Sequence, residues 1–152
     1  MKAFKKILVP VDLSDNSQKI VPYVITMSNA FNAKIYLLFV AHVFKNHDTL
    51  FMPSMVISGF ESDIIKNGKR RLENFSKKFY GDLCAYNTMV KTGEPGKEII
   101  RMINSKNFDL IIIGTHGRKG LNHILFGSVA EYVVKMSPVP VMTINPYRAI
   151  EK

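Results

Sequence analysis

Four glycines in one stretch, Gly114, Gly117, Gly120 and Gly127, carry the clearest chemical signal in this chain of 152 residues. They follow an apolar run, Leu110 to Ile113, and the last precedes Ser128 and a segment with apolar residues at Leu125, Val129, Tyr132, Val133 and Met136. A run without polar alternation suits a strand buried on both faces, and the later spacing suits one face of a helix. Glycine lets backbone N–H groups approach an anion closely, and a helix start adds partial positive charge and unpaired donors. Strand, glycine-rich loop and helix N-terminus, in that order, make a cradle for phosphate. The loop has neither a Gly-Lys-Ser/Thr ending nor Gly-x-Gly-x-x-Gly, so it is not a Walker A loop or a dinucleotide-binding turn. What it has is Gly114-x-x-Gly117, nine residues, then Gly127-Ser128. The competing account is that these glycines only shape a long strand-to-helix connection.

Other reactive residues are sparse. Asp12 closes a first apolar run, and His116, Arg118 and Lys119 lie inside the loop. His116 has two readings, a phosphate contact or a solvent-exposed loop histidine. Arg118 and Lys119 either meet phosphate oxygens or form a solvated basic turn, and His123 carries no assigned role. Cys84 has no neighbouring charges to activate it and reads as an inert strand thiol. No pair of histidines or cysteines has metal-ligand spacing, so Mg²⁺ or Mn²⁺ would come bound to nucleotide phosphates.

The elements that must position these residues follow from periodicity. Lys6 to Val11 reads as a first buried strand, with Ser14 and Asp15 as N-cap candidates for a helix through Ile20, Val24, Met27 and Phe31. Pro22 inside that helix should kink it, at ~3 kcal/mol unless the kink is accommodated. Ala33 to Val40 is a second strand. From His42 to Ser58 no period holds, and Phe51, Met52, Met55 and Val56 suggest a lid over a ligand, a dimer contact or a loop folded on its own core. Phe60 to Tyr80 is a second, basic helix with a solvated face. Cys84 to Val90 is a third strand, and Thr92 to Gly96 a turn with Pro95 at a helix start. Ile99, Ile100 and Ile103 mark a third helix ending near Asn107. Val139 to Ile144 is a fifth strand, and Pro138, Pro140 and Pro146 point to the edge of a sheet. Alternating strands and helices predict a single α/β domain, residues 1–152, with a parallel sheet and right-handed crossovers.

Composition narrows the function. With 47% hydrophobic residues the chain can bury one sizeable core. A net charge of +9 permits polyanionic ligands, yet the basic residues are scattered, which favours a solvated surface over a nucleic-acid groove. One cysteine fits a reducing cytoplasm. The first apolar run is too short for a secretory signal, and no stretch reaches transmembrane length, so membrane insertion is not expected.

The glycine signature resembles the ATP-binding signature of the universal stress protein family, and the resemblance spans nearly the whole chain. Ile7-Leu8-Val9-Pro10-Val11-Asp12-Leu13-Ser14 is similar to the family's first strand and turn. Gly93-Glu94-Pro95, Asp109-Leu110-Ile111, Ser128 to Tyr132 and Pro138 to Val141 are similar to its later elements. The resemblance implies an open five-stranded parallel sheet of order 3-2-1-4-5 with helices on both faces. Ligands of such sheets sit at the topological switch, here between the first and fourth strands. It implies triphosphate contacts at Gly114, Thr115, His116, Gly117, Arg118, Gly127, Ser128 and Val129. Pro10 and Val11 join the nucleotide-binding set, and Asp12 would hold ribose hydroxyls or act through the phosphate-bound metal. The family's backbone contact to adenine aligns to Val40. Many members have His-Val there; this chain has Phe39-Val40, with His42-Val43 just beyond, and a shifted alignment would make Val43 the contact.

The function so implied is an ATP-binding, nucleotide-dependent stress-response switch or interaction module, with a homodimer through the fifth strand and a protein partner the sequence does not name. The alternative is a slow ATPase or phosphotransferase, for which only Asp12 and His116 are nearby candidate bases, without visible orienting partners. A further alternative, a nucleic-acid-binding module, lacks aromatic-basic interleaving.

Overall fold

In the computed structural model, residues 3–42, 54–117 and 126–148 are described, with side chains for all of these except 54–58. The elements run β1 (Lys6–Pro10), α1 (Asp15–Lys19), α2 (Val21–Phe31), β2 (Lys34–Ala41), α3 (Ser54–Phe79), β3 (Tyr86–Thr92), α4 (Pro95–Lys106), β4 (Leu110–Gly114), α5 (Ser128–Met136) and β5 (Val141–Ile144). All strand pairs are parallel, in the order β3-β2-β1-β4-β5. This is the expected α/β sheet.

Strand alternation sorts the core into two layers. Ile7, Val9, Ile35, Leu37, Phe39 and Ile112 face one side and pack with Ile20, Val24, Leu72 and Phe75 of α1–α3. Leu8, Leu38, Val40, Ile111 and Ile113 face the other, against Ile99, Met102 and Ile103 of α4 and Ala130 and Val133 of α5. Burying each such side chain is worth about 1.5–3 kcal/mol. Two-sided burial is why the strands read as unbroken apolar runs rather than alternating ones.

One detail of the ladder shapes the site. The Val11 N–H donates to the Leu38 carbonyl at 2.9 Å, and the Lys6 carbonyl accepts the Asp109 N–H at 2.9 Å. Odd residues of β1 therefore turn their backbone groups to β2, and even residues to β4. Pro10 is even, so the N–H it lacks would have pointed at β4. Pairing of β1 with β4 covers only Ile7 and Leu8, whereas pairing with β2 runs on to Pro10. The sheet opens between β1 and β4 beyond Leu8.

Several boundaries differ from expectation. The chain forms two helices where one kinked helix is expected; α1 ends at Lys19 and Pro22 sits in the first turn of α2. A missing N–H costs nothing there, so the break replaces the kink. The basic helix starts at Ser54, inside the segment read as loop, and residues 54–58 belong to it; Phe51, Met52 and Val43 lie outside the described residues. β3 begins at Tyr86, leaving Cys84 in the bend before it rather than in a strand. Burial pushes the Cys84 thiol up, partly offset by a hydrogen bond with Ser28, as expected of an inert thiol. β5 starts at Val141, after Pro140, and lies at the sheet edge. On α5, Ala130 and Val133 are buried whereas Met136 is exposed.

Tyr80, fully buried beside Phe75 and Tyr86, keeps a hydroxyl with no partner among the described residues. Burial, and secondarily Cys84, push its pKa up from the ordinary 10.0. The hydroxyl stays protonated in the fold, while the unfolded chain ionises near its ordinary value, so this group makes stability fall as pH rises above 10.0. A stranded hydroxyl costs ~1–3 kcal/mol. Tyr80→Phe should therefore raise the thermal midpoint, by roughly 2–4 °C per kcal/mol for a chain this size, and flatten the alkaline loss. A lowered midpoint at neutral pH would show that the hydroxyl is satisfied after all.

Candidate functional site

The opening between β1 and β4 is walled on one side by the turn after β1. The Asp12 carboxylate is fixed by three donors on Oδ1: the Ser14 N–H at 3.0 Å and the Ser14 and Ser17 hydroxyls, each at 2.6 Å. The Asp12 N–H in turn donates to Ser17 Oγ at 3.0 Å. Ser14 is the N-cap of α1, as its sequence position suggests, but its hydroxyl is engaged by Asp12 and makes no capping bond. Closing this turn puts Leu13 at φ +62°. A leucine there costs about 1–2 kcal/mol.

The other wall is the chain leaving β4. The Thr115 N–H donates to the Ile144 carbonyl at 2.8 Å, and the Thr115 carbonyl accepts the Gly127 N–H at 2.6 Å. Thr115 thus ties the end of β4 to both β5 and the start of α5. Its Oγ1 lies 2.8 Å from His116 Nδ1. Both residues are buried, so the solvent-exposed reading of His116 is overturned: the Tyr147 ring packs edge-on against the imidazole.

The two walls touch at Gly117. A Cβ on that residue would stand 2.8 Å from Asp12 Oδ2, closer than side chains tolerate. At Gly127 a Cβ would meet the Thr115 carbonyl oxygen at 3.2 Å. Space, not backbone angle, is the demand: among the described glycines only Gly81 and Gly93 have positive φ, and Gly127 has φ −69°. Gly114 is less constrained, since a Cβ there would make ordinary contacts of 3.5–4.0 Å.

Gly127 is the N-cap of α5 and has no side chain with which to bond the first-turn amides. Ser128 is exposed in its first turn and Val129 is half-buried. Arg118 lies outside the described residues. The third contribution comes from β2. Leu38 points its carbonyl to β1 and Ala41 points its carbonyl to the Gly93 N–H on the β3 side. By this alternation the Val40 N–H and C=O face β1, two residues past the last paired position, Pro10–Leu38. The Val40 side chain meanwhile stays in the core.

The structure therefore brings Pro10, Val11, Asp12, Val40 and Gly114–Gly117 to adjoining strand ends, with Gly127, Ser128 and Val129 beside them. Sequence reasoning missed Leu13, Asn16 and Tyr147. Asn16 donates to the Gly117 carbonyl at 3.0 Å. A positive-φ leucine and contacts spanning 101 and 131 residues leave no local pattern to read.

Comparison with known proteins gives one consistent result. A family model described as the universal stress protein family matches residues 3–145. Universal stress protein MJ0531 of Methanocaldococcus jannaschii is 30% identical over 147 residues, covering 93% of this chain and 82% of that protein. The solved structure of MJ0577, from the same organism, superposes with a TM-score of 0.80 at 26% identity, covering 95% and 97% of the two chains. A family protein from Arabidopsis thaliana, At3g01520, solved with AMP bound, shares the fold with a TM-score of 0.63 at 22% identity over 93% of this chain and 91% of that one.

The contact between the walls yields a direct test. Gly117→Ala forces the loop or the Asp12 carboxylate to move, which typically costs ~1–3 kcal/mol. Asp12→Ala removes the group that the new methyl meets. In a double-mutant cycle read by chemical denaturation, the two changes should be non-additive by at least ~0.5 kcal/mol, with the double variant more stable than their sum predicts. Additive effects would mean that the two walls do not touch in solution.

Proposed function

The chain belongs to the universal stress protein family, and from that membership we propose that it binds an adenine nucleotide, ATP carrying Mg²⁺ or Mn²⁺, and acts as a nucleotide-dependent switch or interaction module in a stress response. The observation that carries this reading is the crevice itself. An oriented carboxylate, a glycine with no room for a side chain and an uncapped helix start adjoin where β1 and β4 part. Helix starts and glycine backbones favour phosphate, and a carboxylate suits ribose hydroxyls. A protein of this fold is known with AMP bound, which makes an adenine nucleotide the ligand class to test first.

In this reading Gly114, Thr115, His116, Gly117, Arg118, Gly127, Ser128 and Val129 receive the phosphates. Asp12 takes the ribose or the metal, Pro10 and Val11 shape the near wall, and the Val40 backbone meets the base. Among the described residues no group of three or more His, Cys, Asp or Glu could hold a metal ion. A divalent cation would therefore come with the phosphates, whose charge it neutralises, and Asp12 is the carboxylate placed to join it. The setting is the cytoplasm, where the lone Cys84 stays reduced. No helix among the described residues is long and apolar enough to cross a membrane.

The same reading includes a homodimer through β5. Among the described residues this strand is a sheet edge paired only with β4, and an unpaired edge is a template for another copy of itself. Val139, Val141 and Met142 are partly exposed along it, and Val134 and Met136 of α5 are exposed beside it. Light scattering at micromolar concentration should give twice the 17.2 kDa chain mass; a monomer with and without ATP rejects the edge as an interface.

Base choice supplies the central test. The Val40 N–H and C=O match N1 and the 6-amino group of adenine, while guanine reverses both, and each mispaired group costs ~1–3 kcal/mol. A ligand at about 100 times its dissociation constant stabilises the fold by ~2.7 kcal/mol, a midpoint rise of roughly 5–10 °C for a domain of this size. Thermal unfolding of nucleotide-free protein should show that rise with Mg-ATP, and a smaller one with Mg-GTP. Equal shifts refute the Val40 contact. No shift from either nucleotide sinks nucleotide binding.

A further inference from the structure

Three pieces of chain remote in sequence converge where the glycine loop begins. Asn16, in the first turn of α1, donates from Nδ2 to the Gly117 carbonyl at 3.0 Å and lies 3.4 Å from the Tyr147 hydroxyl. Tyr147, just beyond β5, sets its ring against His116 with centroids 5.1 Å apart and planes at 67°. Its own backbone is held by a local turn, the N–H donating to Asn145 Oδ1 at 3.0 Å. Lys19, one turn after Asn16, places Nζ 5.7 Å from the centre of the same ring, close enough for a cation–π attraction. The ring is thus engaged by His116 and Lys19, although Tyr147 is 42% exposed.

We propose that Asn16 and Tyr147 are positioning residues that hold Thr115–Gly117 in the conformation that receives the nucleotide's phosphates, an inference resting on the nucleotide-binding reading above. Gly117 has no side chain by which neighbours can grip it, and a glycine loses more conformational freedom on ordering than any other residue. Its carbonyl is the handle that remains, and Asn16 takes it. His116 is held through its ring, and Tyr147 packs on that ring. A segment ordered before the ligand arrives spares binding that entropy cost. The amide type matters: a carboxylate at position 16 would present an acceptor to the Gly117 carbonyl, itself an acceptor. The ring of Tyr147 carries its part, since it is the ring that packs on His116 and lies under Lys19 Nζ.

The test uses ATP and adenosine, which share base and ribose but differ in the phosphates that the held segment serves. Titration calorimetry on the whole chain compares wild type, Asn16→Ala, Tyr147→Ala and Tyr147→Phe, with unfolding midpoints of the nucleotide-free proteins measured alongside. Asn16→Ala and Tyr147→Ala should each weaken ATP roughly two- to tenfold while leaving adenosine within about twofold. Tyr147→Phe keeps the ring and should retain ATP binding near wild type. Unchanged ATP affinity in both alanine variants overturns the positioning role and leaves nucleotide binding standing. Equal losses for ATP and adenosine also overturn it, because they mark general loosening rather than a held phosphate segment. Loss in Tyr147→Phe as large as in Tyr147→Ala overturns the role given to the ring. A wild-type chain that binds neither ligand overturns the nucleotide reading, and this inference falls with it.

Discussion

A single missing hydrogen-bond donor governs the architecture of the site. Pro10 stands at the position of β1 whose backbone faces β4, and without an N–H it cannot extend that ladder. β1 and β4 stay paired only through Leu8, while β2 and β4 run on to Ala41 and Gly114. The β1–β4 ladder is thus the short one, and the opening it leaves is bounded by backbone on both sides. A crevice produced in this way removes no core residue: Ile7, Leu8 and Val9 remain fully buried. The fold keeps its two apolar layers intact while the β1–β4 ladder stops short of the strand ends.

What fills the opening is local and costly. The turn after Pro10 carries a leucine in the left-handed region and a carboxylate that consumes two serine hydroxyls and an amide. With those donors on Oδ1, Oδ2 faces Gly117, where a methyl group has no space. Charge and emptiness are therefore coupled: the carboxylate can be held rigid only because the residue facing it is glycine. Thr115 then transmits this geometry outward, since its N–H and carbonyl bind β5 and the start of α5 respectively. Movement of the loop would have to break contacts with both.

The fold was largely legible in the sequence, because strands buried on two faces announce themselves as mostly apolar runs without polar alternation. Leu110 to Ile113 and Lys6 to Val11 are of this kind. Strand order is a different matter; nothing local encodes which strand lies beside which, and it came from resemblance to a family. Helix limits failed where two local rules compete. Pro22 can kink a helix or start one, and only the packing of Ile20 and Val21 into the core decides for a fresh start. The start of α3 was missed because residues 54–58 carry Ser, Met, Val and Ile without a usable period. In the site, the glycine spacing marked the chain that leaves β4, and what Gly117 and Gly127 supply there is space rather than an unusual backbone angle. His116 reads as a surface residue until Tyr147, 31 positions later, is folded against it.

The departure from the family pattern at Phe39-Val40 follows from the packing of β2 between two layers. Side chains of neighbouring strand residues point to opposite faces, and so do their backbone groups to opposite neighbours. Phe39 is committed to the α1–α3 layer, where Gly68 of α3 leaves room for its ring: a Cβ on that glycine would lie 3.3 Å from two ring carbons. The Arg71 guanidinium sits 5.7 Å from the centre of the same ring. Histidine at this position would put a polar ring where close apolar packing is now satisfied, so the local choice of phenylalanine answers to α3. The backbone groups turned toward β1 belong to Val40, whose side chain is itself fixed in the α4–α5 layer. Under the proposed reading a base would be recognised by main-chain atoms, whose positions depend on the ladder to β3 rather than on either side chain. That ladder, from Ile35–Tyr86 to Ala41–Thr92, is the longest in the sheet. A change from histidine to phenylalanine one residue away leaves it intact, and so leaves the presentation of the Val40 N–H and C=O unaltered.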